Sequence, residues 1–303
     1  MKIRQRVARA FVYYGTKAIL FFFSLFPLRF DTWLGVWLGR AAYYMLPRES
    51  GKAIQNILKA FPEKDQAWAH SRLKQGFESF GRSIMELIKL DTIVKHIDDY
   101  IKVENFGAFE KAFSNGRGIL WITGHIGNWE LMPVYFAQKG YDVYVVAKEL
   151  YDPRMDRVLN TIRERYNVRP ILRGSDGAGK AILRALRSNA ILGMLIDQDT
   201  DVQGVFVDFF GDRAFTPRGA ADLALKAGAS VVAGFITRTD SLHHVITLHG
   251  PIEIHRTPDH EKDVTALTQS MTDEIERHIR RYPHDWVWMH SRWAKRPPTA
   301  EDH

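Results

Sequence analysis

An imidazole and a carboxylate stand five residues apart in the stretch Thr123-Gly-His-Ile-Gly-Asn-Trp-Glu130. On one continuous helix His125 and Glu130 would lie about 140° apart and face different ways, so they can act together only across a turn. Gly124 and Gly127 permit that turn, Asn128 suits a helix N-cap, and Gly140 suits a helix stop. Histidine takes up a proton near neutral pH, and a neighbouring carboxylate can orient its ring or stabilise the imidazolium. The pair fits general-base chemistry; the bland alternative is a strand-turn-helix carrying a solvated histidine. The 303 residues include no cysteine, which excludes thiol nucleophiles, disulfide frameworks, Cys-ligated zinc and iron–sulfur clusters. No Gly-x-Ser-x-Gly elbow is present to form an acyl-serine, so any covalent route lacks its usual nucleophile.

A competing motif follows. Gly174-Ser-Asp-Gly-Ala-Gly179-Lys180 fits Gly-x-x-x-x-Gly-Lys, and Ile191-Leu-Gly-Met-Leu-Ile-Asp197 resembles an apolar strand ending in a magnesium-binding acid. Ala181 stands where a hydroxyl should hold the metal, which argues against a nucleotide site. His243, His244 and His249 lie on a strand pattern without carboxylates at ligand spacing, so no metal or other cofactor is expected.

The elements around these residues read as an α/β fold with a mostly parallel central sheet flanked by helices. Strand patterns cover 118–123, 143–147, 191–196, 205–207, 230–236 and 243–248. Helical patterns cover 52–61, 64–90, 129–139, 153–166, 177–188, 217–227 and 260–281, with Leu73, Phe77, Phe80, Ile84, Leu87 and Ile88 at three- and four-residue spacing in the second. The His125 motif follows a buried-type strand and opens a helix, which is where such sheets place their ligands.

Net charge is +7, from 42 basic and 35 acidic residues. Residues 1–50 hold eight of the basic residues against only Asp31 and Glu49, interleaved with a dense run of aromatic and aliphatic side chains. That mixture suits an anionic membrane surface better than nucleic acid, which is not an expected partner. Ala18 to Leu28 is free of charge but spans roughly 16 Å as a helix, about half a hydrocarbon core. Extending back to Ala10, with Lys17 snorkelling, would allow a tilted single span. Pro27-Leu28-Arg29-Phe30 offers no small-residue signal cleavage site. The favoured reading has this segment and a second one, Trp33 to Leu46, as two helices lying in one leaflet, the alternative being a buried soluble hairpin. The chain thus divides into membrane-associated N-terminal helices, 1–47, and a catalytic domain, 48–303.

The His125-Ile-Gly-Asn-Trp-Glu130 stretch resembles the His-x-x-x-x-Asp/Glu motif of glycerolipid acyltransferases, within the lysophospholipid acyltransferase-like superfamily. It is most similar to the lipid A biosynthesis lauroyl/myristoyl branch. Further features of that branch follow in order: Asp152-Pro153 ten residues before Arg163, then Asp197-Gln198, Val205-Phe-Val-Asp-Phe-Phe-Gly211 and Pro283-His-Asp-Trp286-Val-Trp288-Met-His290-Ser-Arg292-Trp293. The resemblance covers essentially the whole chain. One departure is Asp152-Pro153 where many relatives carry Asn-Pro, which loosens the substrate assignment.

The resemblance implies a bacterial inner-membrane enzyme, working on the cytoplasmic side, that moves an acyl chain from acyl carrier protein or acyl-CoA to a hydroxyl of a lipid acceptor, most simply a lipid A precursor. His125 would be the base and Glu130 would hold its tautomer. Arg163 would stabilise the oxyanion, its bland alternative being a solvated helix Arg paired with Glu164 or a neighbouring acid. Asn128, Trp129 and Gln198 are substrate-binding candidates from their motifs. Asp197 and Asp199 are either a second support for His125 or helix N-caps. Arg173 and Arg218 are cations for an anionic headgroup or solvated surface residues. Trp286, Trp288, His290, Arg292 and Trp293 either line a channel or plug the sheet. A membrane-attached protein that presents lipid without chemistry is the non-enzymatic alternative.

Overall fold

The computed structural model describes Gly15 and residues 22–23, 25–149 and 152–297. The first expected apolar helix therefore lies mostly outside the described residues. The second is helix α1, Leu28–Met45. Phe22, Phe26, Phe30, Trp33 and Trp37, three and four residues apart, form a ladder of rings with successive centroids 5.0–6.2 Å apart. Trp33, Trp37 and Leu38 are exposed.

The opposite side of α1 is held down by small residues. α2 is Pro47–Ala60 and α3 is Gln66–Ile88, the latter capped by Asp65, whose carboxylate accepts from Trp68 N. α1 crosses α3 so closely that a Cβ on Gly81 would fall 2.0 Å from the Gly35 carbonyl oxygen. Asp31, fully buried in α1, faces Lys89 Nζ at 3.3 Å. Among the described residues no helix is long and apolar enough to cross a membrane.

The remaining elements, in chain order, are α4 (Leu90–Val94), α5 (Ile97–Tyr100), β1 (Ile101–Glu104), α6 (Phe106–Phe113), β2 (Ile119–Thr123) and α7 (Leu131–Gln138). Then come β3 (Val143–Ala147), α8 (Pro153–Arg165), β4 (Val168–Leu172), α9 (Ala178–Arg187) and β5 (Ile191–Leu195). The chain continues through β6 (Gly204–Phe209), β7 (Asp212–Pro217), α10 (Gly219–Ala227), β8 (Ser230–Arg238), β9 (His244–Ile252) and α11 (His260–Arg281).

Seven strands form one sheet in the order β1-β9-β8-β2-β5-β3-β4, and β6 and β7 form a separate hairpin. Every pair in the large sheet is parallel except β8 with β9. Alternation along the strands sorts the core into two layers. On β2, Ile119 and Trp121 join Phe109 of α6 and Phe136 of α7, whereas Leu120 and Ile122 join Leu186 of α9, Ala221 of α10 and Ile275 of α11. The result is a three-layer α/β/α fold, as the alternating pattern predicts. β1, β4 and β7 are additions to the expected strands.

One register matters for function. Thr123 of β2 is paired with Leu195 of β5. His125 and Asp197, each two residues further on, therefore leave the sheet side by side.

Candidate active site

His125 is held from three directions at the carboxyl end of β2. Its backbone N–H donates to Asp197 Oδ2 at 2.8 Å, and its ring Nδ1 lies 2.9 Å from Asp197 Oδ1. Its carbonyl accepts from Val287 N at 3.1 Å, and the next glycine, Gly127, donates to the Asp285 carbonyl at 2.8 Å. Gly127 is glycine for two reasons: its φ is +58°, and a Cβ there would sit 2.0 Å from the Ile236 carbonyl oxygen.

Asp197 is fully buried and accepts three N–H donors, the third being the Trp286 indole at 2.8 Å. Burial pushes its pKa up, but the His125 charge and these hydrogen bonds outweigh that and hold it well below the usual carboxylate range. An ionised Asp197 requires the proton on Nδ1, which leaves the lone pair on Nε2. Burial lowers the pKa of His125, whereas the Asp197 charge and hydrogen bond, with a contribution from Glu130, raise it further, so the net shift is upward.

The carboxylate that orients His125 thus comes from the neighbouring strand, a role the sequence reading gave first to Glu130. Glu130 sits at the start of α7 and turns toward α8. There Arg163 donates to it from Nε at 2.9 Å and from Nη2 at 2.6 Å, a two-pronged pair, while Nη1 donates to Asn160 Oδ1 at 3.2 Å. Arg163 is therefore paired not with Glu164 but with the last residue of the motif, and it lines the same cavity as His125.

The other expected residues divide. Trp129 packs edge-to-face on His125, with centroids 5.1 Å apart, and stacks on Phe80 of α3 at 6.2 Å. Gln198 Nε2 lies 3.0 Å from His125 Nδ1, 3.2 Å from His125 Nε2 and 2.6 Å from His290 Nε2. Burial pushes His290 down to about 4, so it is neutral and accepts from the amide. Asn128 does not cap α7; its side chain is buried and donates to Glu86 Oε2 at 2.8 Å. Asp199 neither supports His125 nor caps a helix, since it accepts from Lys295 N at 2.8 Å and faces Lys295 Nζ at 3.4 Å. Arg218 is engaged by Asp222 and Glu261 with contacts of 2.6–3.2 Å, so two carboxylates occupy the guanidinium expected to meet an anion. Trp286 and Trp288 are buried as a plug, but Trp286 also serves Asp197, a link its spacing did not reveal.

A cavity of about 660 Å³ opens beside these groups, inside the range of about 300–1,000 Å³ usual for small-molecule sites. His125, Glu130 and Arg163 line its polar end, and Lys148 and Arg173 stand exposed at its rim. The remainder is mostly apolar and runs along the sheet past Trp121, Gly193 and Val145. Trp121 pairs with Gly193 and Gly193 with Val145, so one row crosses β2, β5 and β3 with no side chain at its centre. The groove between Trp121 and Val145 is the missing side chain of Gly193.

A nucleotide site fits poorly. The acid that a nucleotide site needs for magnesium is the same Asp197 that accepts from His125 and Trp286, and β4, which precedes the glycine motif, is separated from β5 by β3. Among the described residues no group of three His, Asp or Glu could hold a metal ion.

A family model described as bacterial lipid A biosynthesis acyltransferase matches residues 1–295. A phosphatidylinositol mannoside acyltransferase of Mycobacterium tuberculosis is 26% identical over 225 residues, covering 71% of this chain and 68% of the relative. The lipid A biosynthesis lauroyltransferase of Escherichia coli is 25% identical over 272 residues, 87% of this chain and 85% of the relative. The lipid A biosynthesis palmitoleoyltransferase of Escherichia coli is 22% identical over 287 residues, 92% of this chain and 90% of the relative.

Proposed function

The chain belongs to the bacterial lipid A biosynthesis acyltransferase family and is an acyltransferase with an acyl donor and a lipid acceptor; from that premise we propose that it moves a fatty acyl chain from acyl carrier protein or acyl-CoA to a hydroxyl of a lipid A precursor. The observation that carries this reading is His125 Nε2, which Asp197 leaves unprotonated, at the polar end of an apolar cavity. The acceptor hydroxyl gives its proton to Nε2 as its oxygen attacks the thioester carbonyl. The oxyanion forms near Arg163, whose charge Glu130 fixes in direction. Collapse breaks the carbon–sulfur bond, and the departing thiolate takes the proton from the imidazolium. No acyl-enzyme is formed. Substrate is bound by Trp129 and Gln198 against the His125 ring and by Arg173 at the rim, whereas Asn128, Asp199 and Arg218 act on protein groups.

The ring ladder from Phe22 to Trp37, together with the excess of basic residues in the sequence of 1–50, supports attachment of residues 1–47 to an anionic inner-membrane surface from the cytoplasmic face. The mycobacterial relative, by its name, supports a second acceptor class, a mannosylated phosphatidylinositol. Incubating the protein in vesicles with a panel of acyl thioesters and both acceptor classes, followed by mass analysis, is expected to show one acyl group gained by one acceptor with release of an equivalent thiol. Thioester hydrolysis alone, with every acceptor unchanged, would refute transfer.

The cavity also supports an acyl-length prediction. Gly193 shares a row with Trp121, four residues before His125 and about 13 Å away along the strands. A Cβ at Gly193 would meet only Val145 Cγ1 at 3.4 Å and the Tyr144 carbonyl at 3.7 Å, so a side chain fits there at the expense of the groove. Gly193→Met is expected to move the preferred donor toward shorter chains, lowering kcat/KM for the longest accepted thioester by about 10–100-fold, as one to three kcal/mol of lost apolar burial would. An unchanged chain-length profile would place the acyl chain elsewhere.

A further inference from the structure

We propose that Glu86 of α3 is a positioning residue for acyl transfer, anchoring the His125 loop through Asn128; this rests on the reading of His125 as the base. Glu86 lies 1% exposed beneath the loop. One of its oxygens accepts from Arg238 Nη1 and lies 3.2 Å from His244 Nε2; the other accepts from Arg238 Nη2 and from Asn128 Nδ2, both at 2.8 Å. Ser83 Oγ, one turn earlier on α3, faces Arg238 Nη2 at 3.4 Å. A carboxylate this deep is tolerable because charged and neutral donors surround it.

What makes the cluster relevant to chemistry is its direction. Arg238 ends β8 and His244 begins β9, so these partners tie Glu86 to the rigid sheet. Asn128 is the one partner on the loop that carries His125, Trp129 and Glu130. The same helix reaches the loop again through the Phe80–Trp129 stack. Asn128 is buried, and its carbonyl accepts from Leu131 N to start α7. Its amide thus fixes both the turn after His125 and the point at which Glu130 leaves it. Loosening that point by an ångström would move Nε2 and Arg163 relative to each other, an error that costs about 10²-fold in rate.

Asn128→Ala removes the link without orphaning a charge, because Arg238 still satisfies Glu86. It is expected to lower kcat about 10–100-fold with donor KM within about twofold, a small fall in melting temperature from the lost hydrogen bond, and faster amide hydrogen exchange at Gly127 and Leu131. Asn128→Asp sets a second carboxylate against the Glu86 oxygen that accepted from the amide and is expected to be at least as slow, with the same faster exchange. Wild-type kcat and unchanged loop exchange in Asn128→Ala would overturn the proposal. If the wild-type chain transfers no acyl group the catalytic reading fails, and the exchange measurement still decides whether Glu86 holds the loop.

Discussion

His125→Ala is expected to lower the acyl-transfer rate by about 10²–10⁴-fold, the contribution of a well-placed general base, while the protein stays folded. The side chain is partly exposed toward the cavity, so its loss leaves no buried void. Asp197 keeps its bonds to the His125 backbone N–H and the Trp286 indole, so no buried charge loses all its partners. Stability does acquire a different pH dependence. The folded pKa of His125 lies above its ordinary value, so the native state binds its proton more tightly than the unfolded chain. The stabilisation from that proton is present below the unfolded pKa and disappears as pH rises through the folded one. The variant should therefore lose stability relative to wild type at low pH and approach it at high pH. Transfer measured by mass analysis, with melting followed from acid to alkaline pH, checks both halves. A wild-type rate in the variant would overturn the assignment of His125 as the base.

Much of the architecture was legible because apolar period and turn chemistry agreed. Val143–Ala147, Pro153–Arg165 and His260–Arg281 fall where alternation and three-to-four spacing put them. β4 escaped because Val168-Arg-Pro-Ile-Leu172 carries a proline, which a sheet accepts here only because the strand lies at the edge. α3 shows the opposite failure. Its Phe80 and Ile84 fit the apolar period yet are exposed, whereas Glu86 is buried. Two polar partners from distant strands make that position tolerable for a charge, and no local pattern records them.

The site was legible in composition more than in pairing. His125, Glu130, Arg163 and Asp197 do converge, but chain proximity suggested joining His125 to Glu130. The strand order decides otherwise: β2 and β5 are neighbours although about 70 residues separate them, and their register delivers Asp197 to the ring. The partners of Arg218 were half-legible for a similar reason, since Asp222 is local but Glu261 arrives from α11.

Asp197→Asn is expected to lower kcat by about 10³–10⁴-fold although the side chain keeps its size, because the variant inverts the tautomer of the base. Two N–H donors, the His125 backbone and the Trp286 indole, converge on Oδ2. They can be satisfied only by the amide oxygen, which turns the amide N–H toward Nδ1. Nδ1 must then accept, so the ring proton moves to Nε2 and the lone pair that takes the acceptor's proton is lost. The pH profile supplies an independent sign. In the wild type the raised His125 pKa places the rising limb of kcat/KM above the ordinary imidazole value of 6.5. Removing the Asp197 charge removes the largest influence that raises it, so the residual activity of Asp197→Asn should rise at lower pH. Were Glu130 the group that orients the ring, Asp197→Asn would retain most of its rate and Glu130→Gln would show the tautomer defect. Instead Glu130→Gln should act through Arg163, lowering kcat while shifting the limb only slightly, since its charge is a lesser influence on His125.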